Sequence, residues 1–131
     1  MPKFAFITLA ALALGAASCA PGPQLEAAPP GGLEARVTRI SEEFANINTD
    51  LSGETLARHG VVLQKPFSVR FKGRTIQAVL CKDYGDVPRG DWVGLIETDG
   101  TLQVAISFGH AATELGVKAG DRVYIEPAAS D

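Results

Sequence analysis

Pro66-Phe67-Ser68-Val69-Arg70-Phe71-Lys72-Gly73-Arg74-Thr75-Ile76-Gln77-Ala78-Val79-Leu80 is the stretch that decides the fold class. Phe67, Val69 and Phe71 fall on one side of an extended chain and Ser68, Arg70 and Lys72 on the other. That period of two is the mark of a half-buried strand. Lys72-Gly73 reverses the chain, and in the returning run Ile76 and Ala78 share a face while Val79 leans to the other. The segment is a β-hairpin. Downstream, Asp83, Tyr84, Gly85, Asp86, Pro88 and Gly90 make a loop, followed by a strand from Trp92 to Glu97. Asp99-Gly100 is expected to be a tight turn with both residues at positive φ, returning into a strand from Leu102 to Ser107. One or two helical turns fit Ala111 to Leu115, and Arg122 to Glu126 closes the domain as a strand. Upstream, a short helix fits the residues after Ser52, with Gly60 as its stop, and a first strand carries Ala35, Val37 and Arg39 against Arg36, Thr38 and Ile40. Its two faces are imperfectly sorted. Six or seven short strands with one or two short helices must hide their edges, so an all-β fold is expected, a small closed or partly open β-barrel.

The residues outside this domain read as an address. Phe4 to Ala17 is an apolar run whose only polar member is Thr8, placed behind Lys3 and ahead of Cys19. A charged head, an apolar core and small residues before a processing point describe an export signal. The run is short of the roughly 20 apolar residues that a permanent span needs. Leu14-Gly15-Ala16-Ala17-Ser18-Cys19 resembles a bacterial lipoprotein signal, although Ala16 stands where Leu is commoner. Residues 1–18 are therefore expected to be a signal peptide and Cys19 the lipidated residue. Residues 19–32 form a Pro/Gly-rich tether, residues 33–127 the barrel and residues 128–131 a tail. Ala20 is not the Asp of an inner-membrane retention signal, which favours the outer membrane, facing the periplasm.

Composition narrows the partners. Lys and Arg total 12 against 15 Asp and Glu, a formal charge of -3, and the arginines are scattered among acids. No basic stripe exists for nucleic acid. With two cysteines, one at the processing point, no disulfide framework is available, and Cys81 at the end of an apolar run reads as a buried thiol. The sequence contains no CxxC, no phosphate-cradling glycine loop, no serine elbow and no His pair at metal spacing, so neither a metal nor a cofactor is expected. Asp83, Asp86 and Asp91 lack calcium-loop spacing and read as turn acids. His59 reads as a surface residue. Tyr84, His110 and the Phe44-Ala45-Asn46 segment are the places where a polar or stacking group sits beside apolar ones. For Asn46 an Asx-type turn between strands is the plainer reading.

Four pieces in order carry a resemblance: Tyr84-Gly85-Asp86-Val87-Pro88-Arg89-Gly90, Thr98 to Ile106, Phe108-Gly109-His110-Ala111-Ala112, and Leu115 to Asp121. With the earlier Phe44-Ala45-Asn46-Ile47-Asn48-Thr49, they resemble the C-terminal β-barrel domain of the S-adenosylmethionine hydroxide adenosyltransferases, a family that includes the adenosyl fluorinases and chlorinases. The resemblance covers residues 35 to 126. It implies a barrel that closes a pocket whose catalytic residues come from an N-terminal α/β domain, commonly across a trimer interface. It implies that Asn46 holds the methionine portion of the ligand beside Phe44, that Tyr84 lies near the adenine, and that the loop Phe108 to Ala112, with His110 and Ala111, reads the adenine edge. Ala45 replaces a Gly of that pattern, Phe108 an Arg and His110 an Asn, and Asp50 also departs. Residues 33–127 hold no counterpart of the catalytic domain, and half a pocket cannot place the groups that catalysis needs.

The expectation is thus a lipid-anchored envelope protein whose non-catalytic barrel binds a protein partner or a small ligand, with self-association open. The alternative is an accessory half-site that completes an S-adenosylmethionine-hydrolysing or related enzyme supplied by another chain.

Overall fold

The computed structural model describes residues 32–128. The expected signal peptide, Cys19, the expected tether up to residue 31 and residues 129–131 of the expected tail lie outside the described residues. Seven strands form a closed barrel: β1 (Leu33–Ile40), β2 (Ile47–Ser52), β3 (Pro66–Phe71), β4 (Arg74–Leu80), β5 (Trp92–Ile96), β6 (Thr101–Ile106) and β7 (Arg122–Pro127). Around the barrel they run β1-β2-β6-β5-β4-β3-β7, and β7 pairs back onto β1 through Leu33↔Ile125 and Ala35↔Val123. Closure leaves no strand edge to recruit another chain. Two short helices, α1 (Gly53–Arg58) and α2 (Ala111–Leu115), add Leu56 and then Ala111, Ala112 and Leu115 to the core. Ser52 caps α1 by accepting the Thr55 N–H on its hydroxyl at 3.1 Å.

The hairpin read first in the sequence pairs Phe71 with Arg74, and Lys72 (φ +49°) and Gly73 (φ +82°) both take the left-handed conformation of a two-residue turn. Phe67, Val69 and Phe71 point into the core. At Asp99-Gly100 the expectation of two positive φ angles is corrected, because only Gly100, at φ +87°, adopts one. The Asp99 carboxylate accepts both the N–H and the hydroxyl of Thr101, at 3.0 and 2.7 Å, and this holds Asp99 in its ordinary backbone region. The Gly100 N–H donates to the Glu97 carbonyl and the Glu97 N–H to the Thr101 carbonyl, which makes a three-residue loop with a bulge at Gly100. The imperfect faces of β1 have a similar cause. Val37 pairs with Thr49 but Arg39 with Asn48, so the register slips between them, Arg39 swings outward and Ile40 packs against the core.

All pairings around the barrel are antiparallel except β4 with β5, where Val79 meets Val93 and Leu80 meets Gly94 in parallel. Parallel neighbours cannot be joined by a tight turn, so residues 81–91 cross over the barrel surface instead. That crossover covers the outward side of β5 and β6, where Cys81, Val93, Leu95 and Ala105 form a second small cluster with Val79 and Val87. The inward side carries Leu102, Val104 and Ile106. Gly94 faces inward too. A Cβ there would lie 2.6 Å from Phe67 Cζ, so its missing side chain is the space that the buried Phe67 ring fills. Because the crossover hides the outer face of β6, every residue from Leu102 to Ile106 is buried, Gln103 among them. A buried glutamine on an outward face needs partners, and those partners define the site.

Candidate functional site

Two loops meet over the outer face of β6. The first, residues 41–46 between β1 and β2, closes through Ser41 N–H to Asn46 O (3.0 Å) and Ala45 N–H to Ser41 O (2.9 Å). Ala45 sits at φ +53°, and its carbonyl accepts the Ala112 N–H at 2.8 Å, which fixes this loop to the first turn of α2. The second is the crossover, whose 3₁₀ turn Tyr84–Asp86 is held by the Asp86 carboxylate accepting the N–H groups of Lys82 and Asp83 at 3.2 Å each. The same crossover is tied to the end of β6, where Gly90 N–H donates to Ser107 O at 2.8 Å and Ser107 hydroxyl to Tyr84 O at 3.2 Å.

Between them runs a chain of amides with a fixed polarity. Asn48 Nδ2 donates to the main-chain carbonyls of Arg39 (3.3 Å) and Asn46 (3.4 Å) and to Ser41 Oγ (3.1 Å). Carbonyls only accept, so this end of Asn48 must be its NH₂, and its Oδ1 must face the other way. Oδ1 accepts from Gln103 Nε2 at 2.8 Å, which turns Gln103 Oε1 toward the crossover. Oε1 then accepts the Tyr84 hydroxyl at 2.7 Å and Asn46 Nδ2 at 3.3 Å, while Asn46 Nδ2 also donates to Tyr84 Oη at 2.9 Å. Each amide orientation dictates the next. The last group in the chain, Asn46 Oδ1, is buried with no hydrogen-bond partner, although Asn46 is only 5% exposed. An unpaired buried carbonyl costs about 1–3 kcal/mol. Burial, and then the charge of Glu97, push the Tyr84 phenol above the ordinary tyrosine range, so it remains a neutral donor in this chain.

Asn46 lines a shallow cleft of about 150 Å³ together with Phe44, Tyr84, Ile106 and Phe108. Phe44 is 51% and Phe108 71% exposed, an unusual display for rings that share one opening. Phe108 holds φ +59°, a strained angle for a bulky residue, in a turn closed by Gly109 N–H to Ile106 O at 2.9 Å. The Arg89 guanidinium lies over the Phe108 ring, 4.3 Å from its centroid. The cleft thus offers stacking faces, and one of its lining residues, Asn46, carries a buried orphaned acceptor. It has no nucleophile with a base in reach, and no group of three or more metal-ligating side chains occurs among the described residues.

Of the residues singled out in the sequence, Phe44, Asn46, Tyr84 and Phe108 come together. His110 and Ala111 do not. His110 is exposed at the N-cap of α2, and Ala111 is wholly buried in the core, because the turn at Phe108-Gly109 directs the helix inward behind the cleft. Asn46 is not in a simple Asx turn; its side-chain NH₂ donates to the Tyr84 hydroxyl at 2.9 Å and to Gln103 Oε1 at 3.3 Å. Ile106, Gln103, Asn48 and Arg89 were not among the residues expected to form the site. The signal for Gln103 and Asn48 was present as polar side chains in otherwise buried strands, but it becomes visible only when the covering loop is known.

The model of the SAM hydroxide adenosyltransferase C-terminal domain matches residues 36–124, most of the described part. The chain belongs to that family. Among solved structures, it is similar to an uncharacterized conserved protein from Thermotoga maritima, at 25% identity and a TM-score of 0.70 over 73% of this chain and 36% of that one. It is also similar to a conserved hypothetical protein from Thermus thermophilus, at 27% identity and a TM-score of 0.50 over 81% of this chain and 39% of that one. The chain therefore spans less than two-fifths of the length of these relatives. None of the curated proteins matches it. Residues 36–124, within the described part, are the family's C-terminal domain.

Proposed function

We propose that the barrel is a ligand half-site, a non-catalytic module whose cleft receives a planar group with an N–H donor and is closed by a surface from another chain. The observation that carries this reading is Asn46 Oδ1, a buried acceptor without a partner on a residue that lines an aromatic cleft. The amide chain behind it prevents Asn46 from offering its NH₂ instead, so the cleft favours a donor over an acceptor. Phe44, Tyr84 and Phe108 supply faces for stacking. Pockets that bury a small ligand unaided are commonly about 300–1,000 Å³, whereas this cleft is about 150 Å³. A second wall is needed, and the heavily exposed Phe108 and Phe44 suit contact with it. The adenosyl group of the family's substrate has the required chemistry. An accessory role beside a catalytic chain is thereby favoured over a free-standing receptor.

Nuclear magnetic resonance titration of the full chain tests this. Adenosine is expected to bind weakly and to shift the Asn46 side-chain amide, whereas the purine nucleoside lacking the exocyclic amine is not. Equal binding of the two, or adenosine binding that survives Asn46→Ala, refutes the half-site.

The proposal extends to placement. The apolar run Phe4 to Ala17, with Ser18-Cys19 behind it, supports export and lipidation at Cys19, with the barrel on a Pro/Gly tether at the outer membrane facing the periplasm. Several acyl chains, each contributing about 0.8 kcal/mol per buried CH₂, make such an anchor firm. Adenosyl compounds are scarce there, so the natural ligand is proposed by its chemistry rather than as the family's substrate. The closing surface is then an envelope protein or a second copy of this chain. Metabolic labelling with a fatty acid, lost in Cys19→Ala, is the expected result, and unchanged labelling removes the anchor from the reading.

A further inference from the structure

We infer that Arg89 is the specificity arm of the cleft, selecting ligands in which the planar N–H donor is joined to a carboxylate or phosphate. This rests on the half-site reading and adds a charge requirement to it. Arg89 is exposed, yet its position is constrained at both ends. Its neighbour Gly90 is pinned to Ser107 O at 2.8 Å and Asp91 N–H turns back to Pro88 O at 3.1 Å, while its guanidinium lies 4.3 Å from the centroid of Phe108. Phe108 is itself a wall of the cleft. A guanidinium held over a ring face by cation–π attraction does not spend its N–H groups as hydrogen bonds on that contact.

Among the described residues those donors are not taken by an acid. The salt bridges join Arg70 to Glu126 and Arg122 to Glu34, and the acid nearest in sequence with a defined task, Asp86, holds the backbone of its own turn. The guanidinium is therefore charged and, among the described residues, free of an acid partner beside the cleft that Phe108 walls. A carboxylate or a phosphate is the group that matches its paired N–H geometry. The strained backbone of Phe108 fits the same account. Left-handed φ turns the ring out to where Arg89 covers it, and such strain persists where the surrounding structure requires it.

Calorimetry on the full chain with adenosine, adenosine 5′-monophosphate and adenosine 5′-carboxylate tests the inference. At low salt at least one anionic ligand is expected to bind on the order of tenfold more tightly than adenosine, and the tighter of the two distinguishes phosphate from carboxylate. The difference should shrink as salt rises and vanish in Arg89→Gln, with Arg89→Lys recovering part of it, because charge returns without the fork. Equal affinity for all three ligands, with binding still lost in Asn46→Ala, overturns the role of Arg89 and leaves the half-site standing. An anion preference that persists in Arg89→Gln also overturns it. Failure of all three ligands to bind refutes the half-site and this inference together. Unaltered Trp92 fluorescence in each variant certifies the fold.

Discussion

Replacing Gln103 with leucine puts the amide chain to a quantitative test. Gln103 is 3% exposed and bonds to three side chains: its Nε2 donates to Asn48 Oδ1 at 2.8 Å, and its Oε1 accepts from Tyr84 Oη at 2.7 Å and Asn46 Nδ2 at 3.3 Å. Leucine is close in size, so the cavity term is small and the loss is one of hydrogen bonding. Asn48 Oδ1 becomes a buried acceptor without a donor, at a cost of about 1–3 kcal/mol. The Tyr84 hydroxyl lies near the rim and can turn to water, so its lost bond adds only about 0.5–1 kcal/mol. Asn46 Nδ2 keeps Tyr84 Oη as acceptor and adds little. Burial of leucine's apolar surface offsets part, which leaves a net loss of about 1–3 kcal/mol. For a domain whose whole stability is of order 5–15 kcal/mol, that is readily measured. Urea unfolding followed through Trp92, the sole tryptophan, provides the assay. Asn48→Leu in the Gln103→Leu background should cost at least about 1 kcal/mol less than in the wild type, because the Oδ1 it removes is already orphaned. A loss below about 0.5 kcal/mol with no coupling to Asn48 would mean that water serves these groups. The fixed orientation of Asn46 would then lose its physical basis.

Gly94→Ala is expected to destabilise the barrel by about 1–3 kcal/mol through overpacking, since the new Cβ meets Phe67 Cζ at 2.6 Å in a ring that cannot leave the core. The same unfolding assay should show partial relief in Phe67→Leu. Tyr84 predicts an alkaline effect: its pKa is raised on folding by burial and then by Glu97, so its stabilisation is complete below the ordinary value of about 10 and is lost as pH rises through the higher folded value. Subtracting the pH–stability curve of Tyr84→Phe should isolate that alkaline loss, and identical curves would contradict it. Burial first, and the nearby Asp86 charge second, likewise raise the Cys81 thiol pKa, so Cys81 should react far more slowly with a disulfide reagent at pH 8 in the native state than in urea. Equal rates would place it at the surface.

Much of the fold follows from local pattern. The period of two in Phe67, Val69 and Phe71, the Lys72-Gly73 reversal and the regular spacing of turn residues required an all-β chain. Its small size and many edges favoured a barrel, and closure is what the structure has. Tyr84 and the Phe44-Ala45-Asn46 segment could be singled out because they put stacking or directional groups beside apolar neighbours, whereas Phe108 entered only through the resemblance of its loop to the family's. Strand order was not readable. Periodicity assigns side chains to faces but does not say which faces meet, and the parallel β4–β5 pair depends on a crossover whose path is set by burial of Cys81, Val87 and Val93. Only that path puts Tyr84 over Gln103 and makes a nominally outward residue of β6 part of a buried relay. Asn46 and Gln103 are 57 positions apart, and no sequence spacing records their contact. Nor could sequence separate Phe108, displayed at the surface, from Ala111, lost to the core three residues later, because one strained turn decides which way each points. The chemistry of the cleft resides in residue types already present in the chain. Its polarity, which leaves the buried Asn46 Oδ1 as the unpartnered end of the chain of amides, is a property of tertiary structure alone, since it is transmitted through side chains from two backbone carbonyls.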